Sequence, residues 1–221
     1  MDEHQRTSFV PPRLEALSLD LTLAGRQLLR SANLRVASGE ICSVSGTSGS
    51  GKSTLLRILA SLDSPDAGEL RLDGVTSTAI APRVYRQRVA LVMQHPPMLP
   101  GSARDNLRFA AECQGASLSQ AACDAVCARV GLAAPPGKDA RTLSGGERFR
   151  LAIARALVLT PSVMLLDEPT AALDGESAER ILALVRELAE GGTSFVVVTH
   201  NQQHVLRLGG TRYTLADGCL A

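Results

Sequence analysis

The sequence predicts an α/β fold: a largely parallel sheet with helices packed on it, an N-terminal antiparallel β-subdomain and an inserted α-helical subdomain. Three observations carry this. Residues 163–167 and 195–199 are short apolar runs bounded by turn residues, the pattern of buried parallel strands. A helical stripe alternates with them, Ala178, Ile181, Leu182, Val185 and Leu188, closed by Gly191-Gly192. Between about 104 and 159 the pattern is helical, at 120–130 and 146–159, with no strand.

The elements follow in order. Leu17, Leu19, Leu21 and Leu23 alternate, pause at Ala24-Gly25, and resume through Leu28, Leu34 and Val36, which predicts a β-hairpin. Residues 40–45 form a short strand that runs into a Gly/Ser-rich loop. A helix follows at 53–62, with Leu55, Leu56, Leu59 and Leu62 at helical spacing. Residues 68–72 and 89–93 read as further strands. The expected organisation is a flexible tail over 1–13 and one domain over 14–221. Its core covers about 14–94 and 160–221, and its helical subdomain about 95–159.

Composition excludes several functions. The 221 residues are 45% hydrophobic and 20% charged, enough apolar surface for a sizeable core. Lys and Arg total 23 against 22 Asp and Glu, without a block of like charge, so a nucleic-acid partner is not expected. The longest purely apolar runs fall far short of the ~18 residues of a membrane span. The start of the chain has mixed charge and Pro11-Pro12 in place of an apolar secretory core, which predicts a cytosolic protein. Five irregularly spaced cysteines argue against a disulfide framework; Cys123 and Cys127 are read as buried thiols rather than metal ligands.

Gly46-Thr47-Ser48-Gly49-Ser50-Gly51-Lys52-Ser53 fits G-x-x-x-x-G-K-[ST] between a predicted strand and a predicted helix, with Thr54 next in the helix. The glycines let backbone N–H groups converge on phosphate oxygens, and the helix N-terminus adds its dipole. Lys52 would neutralise phosphate charge and Ser53 would offer its hydroxyl to Mg²⁺. Of the 23 Lys and Arg only Lys52 and Lys138 are lysines, so a chance match is improbable. The apolar strand 163–167 ends in Asp167 and Glu168, at the strand end where open α/β sheets bind ligands. Strand alternation predicts that the two acids face opposite ways, Asp167 toward Mg²⁺ and Glu168 toward the water that attacks the γ-phosphate.

Four further segments carry a family resemblance. Leu143-Ser144-Gly145-Gly146-Glu147 resembles the signature of ABC transporter ATPases. Gln94 resembles their Q-loop glutamine, Ala172-Leu173-Asp174 their D-loop and His200 their switch histidine, and the motifs run in the family's order. The resemblance covers about 14–220. It implies a P-loop NTPase (RecA-like) core, ATP and Mg²⁺ as cofactors, and ATP hydrolysis. Two copies would pack head to tail around two ATP, the phosphate loop of one facing Ser144, Gly145, Gly146 and Glu147 of the other.

In that arrangement Lys52, Glu168 and His200 are the expected catalytic residues. Ser53, Gln94 and Asp167 would serve the metal, and Asp174 the opposite subunit. The resemblance further implies a separate integral membrane permease, docked in a groove lined by residues 94–107, with the chain peripheral on the inner face of the membrane. Residues 85–107 are similar to FetA-like ATPases, which implies iron export; the alternative is a soluble ABC ATPase of cofactor or cluster assembly.

The family's adenine-stacking aromatic falls on about Leu21, and no Phe, Tyr or Trp lies between Phe9 and Tyr85. Weaker apolar contact is therefore expected for the base unless Phe9 folds back. His204 matches no motif and is read as structural. Arg148, Arg150 and Arg155 are read as a solvated or subunit-facing helix surface.

Overall fold

The apolar runs form a six-stranded sheet because each offers side chains to both faces. In the computed structural model, which describes residues 12–133, 137–171 and 173–221, β1 (Pro12–Leu23) and β2 (Arg26–Ala37) make the expected hairpin. β4 (Ala67–Leu72) and β5 (Val75–Thr76) extend it into an antiparallel sheet in the order β2-β1-β4-β5. The second sheet has the order β10-β9-β3-β8-β7-β6. It comprises β3 (Ile41–Ser45), β6 (Val89–Val92), β7 (Val163–Asp167), β8 (Ser194–Val198), β9 (Thr211–Ala216) and β10 (Cys219–Leu220). β9, β3, β8, β7 and β6 are mutually parallel.

Alternation splits the core in two. Val163, Leu165, Val196 and Val198 face α1 (Lys52–Leu59) and the antiparallel sheet. Met164, Leu166, Phe195 and Val197 face α5 (Gly145–Val158) and α6 (Gly175–Glu190). The inserted region is helical as expected, built from α3 (Ala103–Glu112), α4 (Gln120–Arg129) and α5. Ser102 and Ser144 start α3 and α5 with capping boxes closed by Asp105 and Glu147.

Several elements were not legible beforehand. α2 (Pro82–Arg88) opens on a proline at its first turn and buries Tyr85, whose hydroxyl donates to the Leu59 carbonyl at 2.9 Å. α7 (Gln202–Leu208), β9 and β10 have short or mixed patterns; β9 is held by parallel pairing with β3, and β10 by antiparallel pairing with β9. Pro12 and Arg13, expected in the tail, belong to β1, and Arg13 pairs with Asp73. Residues 1–11, Phe9 among them, and Ala172 of the D-loop lie outside the described residues. Among the described residues all five cysteines are free, Cys42 and Cys123 buried, and no helix is long and apolar enough to cross a membrane.

Candidate functional site

Parallel β3, β8, β7 and β6 end at one edge of the sheet, and the residues that follow them build the site. After β3 the chain turns through Gly46 at φ +149, where a Cβ would lie 2.4 Å from the Leu215 carbonyl oxygen, so only glycine fits. Gly51, at φ +103, is the N-cap of α1, whose first turn holds no acidic residue, leaving its positive end bare for an anion. Lys52 Nζ donates to the carbonyl oxygens of Gly46 at 2.9 Å and Thr47 at 2.7 Å, so its ammonium sits across the mouth of the loop.

The two acids do have different surroundings, but strand alternation is not the cause. β7 ends at Asp167, and Glu168 has already left the strand in the left-handed region at φ +49. Asp167 is buried, and Ser53 lines the same cavity. Burial pushes its carboxyl above the usual range, the nearby Ser53 hydroxyl opposes this, the Glu168 charge adds to it, and Lys52 pulls it back down. Glu168 is anchored by its own N–H, which donates to the Val198 carbonyl at 2.9 Å, and its Oε1 lies 2.9 Å from His200 Nδ1.

Gly46, Ser48, Gly49, Gly51, Lys52, Ser53, Thr54, Gln94, Asp167, Glu168 and His200 line one open cavity of about 580 Å³, with Leu28 on its wall. Thr47 lends the carbonyl that holds Lys52, and Ser50 is buried with a hydroxyl that has no partner among the described residues. Leu21, the expected position beside adenine, is instead buried in the core beneath the hairpin; the alternation turns it inward. Leu28, one strand further on, does face the cavity, Val198 is a second apolar residue in its lining, and no aromatic lines it among the described residues.

The signature residues lie elsewhere in the same chain. Ser144 Oγ accepts from the Glu147 N–H at 3.3 Å, and Glu147 Oε2 accepts from the Ser144 N–H at 2.8 Å and meets Lys138 at 3.5 Å. Glu147 is thus spent on the cap, and the amides of Gly145 and Gly146 remain as orphan donors of the first turn. A Cβ on Gly146 would meet Leu173 Cδ2 at 2.6 Å, so the signature packs directly on the D-loop. Asp174 caps α6 by accepting from the Ser177 N–H at 2.7 Å. None of Ser144, Gly145, Gly146, Glu147 and Asp174 lines the phosphate-loop cavity; a second cavity of about 520 Å³ joins Gly145, Arg148 and Leu173 to Gln94 and Glu168.

A third hollow, of about 440 Å³, lies between the helical insert and the core. Met93, Pro96, Pro97 and Leu99 line it, from the expected tract or just before it, with Leu62, Phe109 and Leu159 from outside that tract. Arg155, expected on a solvated or subunit-facing surface, lines this hollow, half-buried, and burial lowers its pKa. Arg148 is exposed as expected.

A sequence profile described as "ABC transporter" matches residues 29–171. The chain belongs to the ABC transporter family. The lipoprotein-releasing system ATP-binding protein LolD of Shewanella sp. (strain MR-4) is 42% identical over 202 residues, 88% of this chain and 87% of its own length. The methionine import ATP-binding protein MetN of Caulobacter vibrioides is 40% identical over 191 residues, 83% of this chain but 58% of its own. Among solved structures, an ATP-binding cassette dimer in a post-hydrolysis state bound to ADP and Pi matches with a TM-score of 0.82 at 29% identity, covering 94% of this chain and 96% of that one. This ABC chain is therefore an ATP-binding subunit and an ATPase, with the cassette fold that its motifs implied.

Proposed function

We propose that two copies of this ABC subunit close head to tail around two ATP and drive a separate membrane permease of the lipoprotein-releasing type. The observation that carries the dimer is the separation just described. Lys52, Ser53, Asp167 and His200 line one cavity and Gly145 of the signature lines another, with only Gln94 and Glu168 common to both. A second copy would bring its signature helix to the first copy's phosphates, aiming a second helix dipole at the same anion.

Within the site Lys52 and the amides of residues 46–51 would grip the β- and γ-phosphates. Ser53, Asp167 and Gln94 offer only oxygen donors in one place, a set that fits Mg²⁺. Bound there, Mg²⁺ supplies charge neutralisation on the phosphate oxygens. Glu168 would hold and polarise the lytic water, and His200 would orient that carboxylate and reach the γ-phosphate. Asp174, at the N-terminus of α6 beside the signature, would meet the opposite copy. Leu28 would give the base apolar contact without stacking.

The hollow lined by Met93, Pro96, Leu99 and Phe109 suits an apolar helix from the permease, and Phe109 is 50% exposed there. Such docking would hold the subunit on the cytoplasmic face of the membrane. For cargo, the identity to LolD is 42% over 202 residues against 40% over 191 residues to MetN, which favours lipoprotein release over methionine import. Iron export finds no support in these relatives and is not proposed.

The test is to purify the tagged chain with ATP from membranes in mild detergent. A stoichiometric multispan protein should come with it, and in proteoliposomes the complex should hydrolyse ATP faster with an acylated protein than with its unacylated form. A soluble partner alone would overturn the transport reading in favour of an assembly ATPase.

A further inference from the structure

Residues 168–171 leave β7 in a turn that closes on itself, with the Ala171 N–H donating to the Glu168 carbonyl at 3.2 Å. Among the described residues, the hydrogen bonds that tie this turn to other segments all run to one stretch, 198–204. The Glu168 N–H reaches the Val198 carbonyl, Glu168 Oε1 pairs with His200 Nδ1, and Thr170 Oγ1 lies 2.8 Å from His204 Nδ1. Val198 ends β8, His200 precedes the N-cap of α7, and His204 is in the first turn of that helix.

The direction of each bond at His204 can be assigned. Asn201 Oδ1 accepts from the backbone N–H groups of Gln203 at 3.0 Å and His204 at 3.3 Å, which only an oxygen can do, so the Asn201 amide cannot be flipped. Its Nδ2 must then donate to His204 Nε2 at 3.2 Å. With Nε2 accepting, Nδ1 carries the ring proton and donates to Thr170 Oγ1. One imidazole thus joins the cap of the helix that follows His200 to the buried hydroxyl two residues beyond Glu168.

We infer that His204 is a positioning residue for hydrolysis: through Thr170 and Asn201 it holds the turn carrying Glu168 at a set distance from the segment carrying His200. It lines neither the phosphate-loop cavity nor the signature cavity, so it acts on catalysis only through other residues. Glu168 is a non-glycine residue at φ +49, a conformation that persists only where its neighbours over-determine it. The inference rests on the proposed roles of Glu168 and His200.

The experiment is steady-state ATP hydrolysis by the full chain with Mg²⁺, beside the thermal midpoint of each variant. His204→Phe keeps a ring and removes both hydrogen bonds; it should lower kcat about fivefold or more while KM for ATP stays within about twofold, since the phosphate loop is untouched. Thr170→Val should do the same, and the double variant should be no slower than either alone. Thr170→Ser, which keeps the hydroxyl, and His204→Gln, which offers one donor and one acceptor, should recover most of the rate. Full kcat in both His204→Phe and Thr170→Val, or strictly additive losses, would overturn the inference. If His204→Phe does not fold, the Thr170 pair decides alone. Glu168→Gln separates the two readings: normal hydrolysis by that variant removes the proposed role of Glu168 itself, whereas an inactive Glu168→Gln beside active Thr170→Val removes only the role of His204.

Discussion

Glu168 Oε1 and His200 Nδ1 lie 2.9 Å apart although the residues are far apart in sequence, because parallel pairing sets Asp167 opposite Val198 and both chains leave the sheet there. A carboxylate bonded to an imidazole beside the phosphate loop is equipped to hold and deprotonate a water. Glu168→Gln should therefore lower ATP turnover by about 10²-fold or more, the range for a general base, while ATP binding persists. With ATP and Mg²⁺ the variant should elute as a dimer by light scattering. A variant that stays monomeric would count against the sandwich.

Lys52 presents its ammonium at the loop mouth through the Gly46 and Thr47 carbonyls. Lys52→Ala removes the cation and leaves those carbonyls free to face the phosphates. Binding of a fluorescent ATP analogue should weaken by about tenfold or more and turnover should vanish. Unchanged turnover would remove the phosphate-loop role.

Asp167 gives a prediction of opposite sign for stability and activity. Its carboxyl is raised by burial, so the folded chain holds that proton more tightly than the unfolded chain does. Between the ordinary carboxylate range and its raised value, stability falls as pH rises, and at neutral pH the buried charge costs the fold. Asp167→Asn keeps the shape of the side chain without the charge. The thermal midpoint should rise by a few degrees near pH 7 and the rise should shrink as the pH is lowered, while Mg²⁺-dependent hydrolysis is lost. A lower midpoint at neutral pH would show that the ionised carboxyl supports the fold.

Tyr85 is a stability test away from the site. It is 1% exposed, and its hydroxyl satisfies the Leu59 carbonyl at the end of α1. Tyr85→Phe should cost about 1–1.5 kcal/mol in urea unfolding, the worth of one buried hydrogen bond, with turnover per folded molecule unchanged. A larger loss accompanied by weak ATP binding would mean that α1 shifts and carries the phosphate loop with it.

The wall of the phosphate-loop cavity carries Leu28 and no aromatic among the described residues. Apolar contact does not distinguish purine bases as stacking with polar partners can. GTP should compete with ATP within about tenfold, and Leu28→Ala should weaken both nucleotides alike. A strong ATP preference in a competition assay would require another residue at the base.

The chemistry was readable from local sequence because each motif is a run of consecutive residues with one conformational demand. The glycines of 46–51 must wrap a loop, the apolar run into Asp167 must be a strand, and Ser144 with Glu147 must cap a helix. These demands act within a few residues and depend little on distant packing. Tertiary structure decided what depends on register and curvature. Leu21 turned inward and Leu28 outward because pairing of β1 with β2 and β4 sets which face is covered. Glu168 left its strand one residue earlier than alternation assumed, because its N–H is claimed by Val198 of the neighbouring strand. The Thr170–His204–Asn201 chain has no signal in either segment alone. A histidine in the first turn of a short helix becomes informative only when parallel pairing of β7 and β8 brings a buried hydroxyl within 2.8 Å of its ring.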